Sequence, residues 1–265
     1  MKRLSVFGSV ITLGSYSEFL DRIIHFAGHK VPSYVCFANV HMVVEANRDA
    51  SFRRVVNQAT LVAPDGKPLS VFMKLFHNIS QDRVCGMDIL PDLLRKAEEA
   101  GRAVYFYGGE QHVLDRIEAK ARREYPKLRI AGLHSPPYRP LSDQEKAEDI
   151  ERIRESGADL VFVSLGCPRQ EKWMAESVKK LNACFLGLGQ AFTVYAGLEK
   201  RLPKWMRGLC LEWVYRLILE PRRLWKRYFT TNSEFLMMVM KLAFVNFSQR
   251  SPIVATDRRG GGSIA

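Results

Sequence analysis

Short β-rich runs alternate with amphipathic stretches over the first 200 residues, and this alternation confines the chain to an α/β fold. Residues 34–38, 60–63, 103–107, 159–164 and 183–186 read as strands. Residues 17–27 read as a helix with Phe19, Leu20, Ile23, Ile24 and Ala27 on one side, and 41–46, 89–100, 113–124 and 143–156 are helical too. The expected fold is a Rossmann-like, largely parallel sheet with helices on both faces, over residues 1–200. With 47% apolar residues, such a domain can bury a full core.

In open parallel sheets, ligands bind beyond the carboxyl ends of the strands. Asn39, Asp65, Gly108-Gly109, Gly166-Cys167-Pro168 and Gly187-Leu188-Gly189 each follow an apolar run directly, so five strand ends can line one rim. Asp65, between Pro64 and Gly66, reads either as a turn aspartate accepting backbone hydrogen bonds or as a general base at the mouth of a crevice. Gly108-Gly109 and Gly187-Leu188-Gly189 suit phosphate cradles, though glycines after strands also simply make turns. Gly187-Leu188-Gly189-Gln190-Ala191-Phe192 begins like a dinucleotide fingerprint, but Phe192 stands where the third glycine belongs, which counts against a nicotinamide-dependent oxidoreductase. In Gly166-Cys167-Pro168-Arg169-Gln170-Glu171-Lys172-Trp173, Pro168 suits a first helical turn. Gln170 and Glu171 would then sit near a helix N-terminus facing the crevice, with a surface acid complementing the helix dipole as the alternative reading of Glu171.

The last quarter of the chain differs. Residues 201–265 hold 12 Lys/Arg against 4 Asp/Glu, and residues 1–200 hold 28 against 24. Residues 211–219 and 224–229 read as helices, and a nearly all-apolar helix over 234–247 is too short for the roughly 20 residues a bilayer span needs. Residues 201–247 are thus a helical appendage suited to an anionic membrane surface, and 248–265 a disordered tail. Basic residues interleaved with Trp213, Tyr215, Trp225 and Tyr228 admit a nucleic-acid-binding module as a rival. The apolar helix suits lipid and not a polyanion groove, so no nucleic-acid partner is expected. Five cysteines without a C-x-x-C pair fit reduced thiols, and the run after Met1 is too brief for a signal-peptide core, so a cytoplasmic chain is expected. His25 and His29 lack a third ligand nearby and no Asp-x-Asp occurs, leaving no expected metal site.

Four stretches together resemble the WecG/TagA/CpsF family of bacterial glycosyltransferases. They are Ala63-Pro64-Asp65-Gly66; Arg83-Val84-Cys85-Gly86-Met87-Asp88; the Gly166 to Trp173 stretch; and Leu211-Glu212-Trp213-Val214-Tyr215-Arg216-Leu217 continuing through Glu220-Pro221-Arg222-Arg223-Leu224. The resemblance implies an inverting enzyme without metal or other cofactor, moving a sugar from a UDP-sugar donor to a lipid-linked sugar acceptor, an undecaprenyl-diphosphate sugar. It places the enzyme peripherally on the cytoplasmic face of the inner membrane, with self-association the alternative use of the apolar tail. It implies Asp65 as general base and a substrate site formed by Asn39, Arg83, Gly86, Asp88, Gly108, Gly109, Gly166, Gln170, Gly187 and Gly189, with Arg216, Arg222 and Arg223 as phosphate contacts. Phe37 and Thr193 depart from the family pattern, which has a threonine at the first position and often an acid at the second, so the donor sugar is left open.

Overall fold

The computed structural model describes residues 1–200, 214, 217–218 and 221–248. In chain order the elements are β1 (Lys2–Val6), β2 (Ser9–Leu13), α1 (Tyr16–Gly28), β3 (Ser33–Ala38), α2 (Val40–Arg48), α3 (Ala50–Gln58), β4 (Leu61–Pro64), α4 (Lys67–His77) and α5 (Gly86–Glu99). There follow β5 (Ala103–Gly108), α6 (Gln111–Glu124), β6 (Arg129–His134), α7 (Asp143–Ser156), β7 (Leu160–Ser164), α8 (Arg169–Ser177), β8 (Cys184–Gly187), α9 (Ala191–Tyr195) and, near the C-terminus, α10 (Pro221–Ser248).

Six strands form one sheet in the order β4-β3-β8-β7-β5-β6, every pair parallel. Strands β3 and β5 are buried at all their residues, because helices cover both sides of the sheet. Since side chains alternate, Val35, Phe37, Val104, Phe106 and Phe162 join one core layer with α1, α5, α6 and α9. Tyr34, Cys36, Tyr105, Tyr107 and Val161 join the other with α2, α3, α4, α7 and α8. The expected doubly covered parallel sheet is present.

Several elements differ from the sequence reading. An antiparallel hairpin, β1–β2, precedes the sheet, turning at Phe7 and Gly8 with positive φ at both. Helices α3 and α4 fill stretches without an expected element. Strand β6, an edge strand that is only partly covered, likewise fills a stretch without an expected element. The two expected helices after Pro221 are a single helix of 28 residues.

One face of α10 packs on the domain. Phe235, Val239 and Leu242, at helical spacing, join the α2–α4 layer. The Phe235 ring meets those of Phe7 and Phe72 with centroids 5.7 and 6.3 Å apart, and Glu234 pairs with Arg48 of α2 at 2.6 Å. The opposite face leaves Trp225, Phe229, Leu236, Met240 and Phe244 exposed. No helix among the described residues is long and apolar enough to cross a membrane. Arg216, the larger part of the expected helix over 211–219 and the tail beyond Ser248 lie outside the described residues.

Candidate active site

The turns after β4, β3, β7 and β8 meet at one cavity of about 470 Å³, at the carboxyl end of the sheet. Each turn serves both as strand exit and as helix entry, so helix N-termini converge on the space. Asn39 follows β3 and caps α2, its side-chain oxygen accepting the Met42 N–H at 3.1 Å. Asp65 follows β4; its own N–H donates to the Ala38 carbonyl at 2.7 Å, which ties the turn to the neighbouring strand end. Helices α4 and α5 start at the cavity with Gly66 and Cys85 as N-caps, neither supplying a side-chain cap. Their first-turn N–H groups, their dipoles and the Lys67 ammonium favour an anion.

Of the sequence-derived candidates, the structure brings Asn39, Asp65, Gly86, Gly166, Gln170, Gly187 and Gly189 to the cavity wall. Arg83, Asp88, Gly108 and Gly109 are not on that wall. Arg83 precedes Val84, whose N–H donates to the Pro64 carbonyl at 2.9 Å, so it stands behind the Asp65 turn. Asp88 lies in the first turn of α5. Gly108 has a packing role: at φ +96°, a Cβ there would lie 2.4 Å from the Ser164 carbonyl oxygen, so only glycine lets β5 and β7 end this close together. Arg222 is exposed on α10, and of Arg223 only the helical backbone is described.

Gln170 and Glu171 open α8 beneath the cavity, 5% and 0% exposed. The reading of Glu171 as a surface acid is therefore wrong: the start of α8 tucks under the rim, and the carboxylate is enclosed with it. Burial raises the Glu171 carboxyl above its usual range, opposed by the Gln170 amide that donates to it at 2.8 Å. The same amide nitrogen donates to the Gly187 carbonyl at 3.1 Å.

Sequence reasoning passed over other contributors. Gln190 lies in the fingerprint-like stretch, whose signal is carried by its glycines. Glu199 carried no signal, being far from every strand end. Its carboxylate accepts from the Thr193 hydroxyl at 2.8 Å and from the Gln190 amide. Phe37 and Thr193, the two departures, both line the cavity, and Glu199 brings a carboxylate to Thr193 from six residues downstream. The roof comes from α10, through Tyr228, the 2%-exposed Thr231, and Asn232. No group of three metal-ligating acids, histidines or cysteines occurs among the described residues.

Comparison with known proteins supplies the chemistry. The profile of the glycosyl transferase WecG/TagA/CpsF family matches residues 4–248. The chain belongs to that family. It is therefore a glycosyltransferase, which sets aside the oxidoreductase and nucleic-acid readings. The N-acetylglucosaminyldiphosphoundecaprenol N-acetyl-beta-D-mannosaminyltransferase of Bacillus subtilis (strain 168) is 33% identical over 217 residues, 81% of each chain. The protein of the same description from Bacillus spizizenii is 34% identical over 197 residues, 74% of each chain. This WecG/TagA/CpsF member is thus similar to the two relatives over 74–81% of its length.

Proposed function

We propose that this cavity moves an N-acetylhexosaminyl group from a uridine diphosphate sugar to the sugar of a polyprenyl-diphosphate-linked acceptor. The transfer inverts the anomeric centre, needs no metal ion, and takes place on the cytoplasmic face of the bacterial inner membrane. The names of the two Bacillus relatives support the acceptor class. One observation carries the reading: Asp65 stands in a cavity entered by helix N-termini and roofed by a helix whose outer side is apolar.

The acceptor hydroxyl oxygen attacks the anomeric carbon as the bond from that carbon to the diphosphate oxygen breaks. The diphosphate departs with the bonding electrons, and the hydroxyl proton passes to the Asp65 carboxylate. The developing charge meets the starts of α4 and α5 and Lys67. Arg216 and Arg223, delivered by the appendage, are further phosphate partners in this scheme. The exposed stripe of Trp225, Phe229, Leu236, Met240 and Phe244 rests in the membrane interface, with Arg222, Lys226 and Lys241 facing anionic headgroups.

Asp65→Asn tests the proposal. The amide keeps the shape but cannot take the proton, so turnover should fall by about 10²–10⁴ while folding and UDP binding persist. Turnover like the wild type's would remove Asp65 from the mechanism.

A further inference from the structure

Strand β4 ends the sheet on one side, and Asp65 stands at its exit. An edge strand leaves backbone groups pointing outward, and here other segments meet them. The Asp65 N–H donates toward β3, so by alternation the N–H of Val62 points away from β3, as would that of Pro64, which has none. The Val62 N–H donates to the Thr12 hydroxyl of β2 at 3.0 Å, and both residues are 1% exposed. On the same edge the Pro64 carbonyl accepts from the Val84 N–H at 2.9 Å. The strand end is thus held from outside by the N-terminal hairpin and by residues 78–85, a segment in neither helix nor strand. Gln81 joins these two holds. Its side-chain oxygen accepts the Gly14 N–H at 3.0 Å, and its amide nitrogen donates to the Gly14 carbonyl at 2.6 Å, as one strand residue does with another. The same nitrogen donates to the Asp82 carbonyl at 3.0 Å, so a turned amide would set oxygen against two carbonyls, and its sense is fixed. Beside it, the Asp82 carboxylate accepts the Tyr16 N–H at 3.1 Å.

A carboxylate that takes a proton must stand within about 0.5 Å of its place, and a shift of about 1 Å can cost about 100-fold in rate. Asp65 leaves a strand of only 4 residues at the margin of the sheet, where backbone pairing is weakest. We propose that Thr12 and Gln81 are positioning residues for Asp65: through them the hairpin stands in for a further strand and fixes where the carboxylate sits above the sheet. The hairpin itself contributes nothing to the cavity wall, so its part in turnover runs entirely through the β4 edge. The inference rests on the reading of Asp65 as general base.

Turnover and UDP binding of the full chain, measured on single and double variants, test this. Gln81→Met keeps the side-chain length and removes donor and acceptor; Thr12→Val keeps the shape and takes the acceptor from the Val62 N–H. Each should lower kcat about 10-fold, with the donor KM and the calorimetric UDP affinity within about twofold of the wild type. Thr12→Ser retains the hydroxyl and should bring kcat back to within about threefold of the wild type. Gln81→Glu retains the acceptor, but its carboxyl can donate to the Gly14 carbonyl only when protonated. Its kcat relative to the wild type should therefore climb as pH falls from about 8 to about 5. In the Asp65→Asn background neither Gln81→Met nor Thr12→Val should lower the residual turnover further, because both act through the carboxylate. A second, equal loss on top of Asp65→Asn would overturn the proposal, as would a loss shared equally by kcat and UDP affinity, or wild-type turnover in both brace variants. Wild-type turnover in Asp65→Asn alone would instead refute the general-base reading, and the positioning role with it. Should Thr12→Val fail to fold in thermal melts, Gln81→Met, whose side chain is only half-buried, decides the matter by the same readouts.

Discussion

Docking of α10 should depend on Phe235 far more than on the ion pair beside it, and the structure allows the difference to be sized. Phe235 is half-buried, so truncating it returns apolar surface to water at a cost of about 1 kcal/mol. It also removes the ring contacts to Phe7 and Phe72, each typically about 0.5–1.5 kcal/mol. Phe235→Ala should therefore weaken docking by about 2–4 kcal/mol, or about 30- to 1,000-fold in the ratio of docked to undocked helix. Arg48 and Glu234 approach to 2.6 Å, but their side chains are 41% and 24% exposed, and such pairs are usually worth less than about 1 kcal/mol. Hydrogen exchange of backbone amides over residues 228–242 reads the opening directly. Phe235→Ala should speed exchange there by the stated factor and Glu234→Gln by less than about fivefold. Transfer should fall in the first variant, because Thr231 and Asn232 leave the cavity with the helix. A larger effect from Glu234→Gln, or unchanged exchange in Phe235→Ala, would refute the assignment of docking to aromatic packing.

Three further outcomes are expected. Gly108→Ala forces a Cβ against the Ser164 carbonyl at a positive φ, so it should cost about 3–5 kcal/mol and lower the melting temperature by about 10 °C. Glu171 has a folded-state pKa raised by burial, so its contribution to stability is fully present below the unfolded value and is lost as pH rises through the folded one. Glu171→Gln should therefore gain on the wild type in denaturant melts as pH rises from about 4 to about 8, and a constant difference would refute this. Replacing Phe229 and Phe244 by serine should cut flotation with phosphatidylglycerol vesicles about tenfold or more and spare turnover on a water-soluble short-chain acceptor.

The central strands were legible because strands covered on both faces are runs of apolar residues, and their exits show as small or polar residues. That is how Asp65, Gln170 and the glycines after β8 could be placed on one rim. Strand β6 was missed because an edge strand lacks that signal, and the β1–β2 hairpin because Phe7-Gly8 is not a usual turn pair. Thr230-Thr231-Asn232-Ser233 read as a gap between two helices, since such residues are weak helix formers. They continue the helix because tertiary contacts override propensity: Thr231 is buried, and Asn232 lines the cavity. Glu171 was left between two readings because position in a helix first turn does not reveal burial. Glu199 reaches the site only through the fold of the chain after α9, which no local pattern encodes.

Strand β3 has β4 on one side and β8 on the other, with Ser33 opposite Cys184. The first strand of the sheet thus waits for the last described one before its second edge is paired. On a ribosome, the rim holding Asn39 and Asp65 emerges early, while Gln170 and Gln190 emerge late. The binding cleft is accordingly among the last features of the domain to come into existence, and a chain interrupted before residue 187 has half a cleft and nothing to grip.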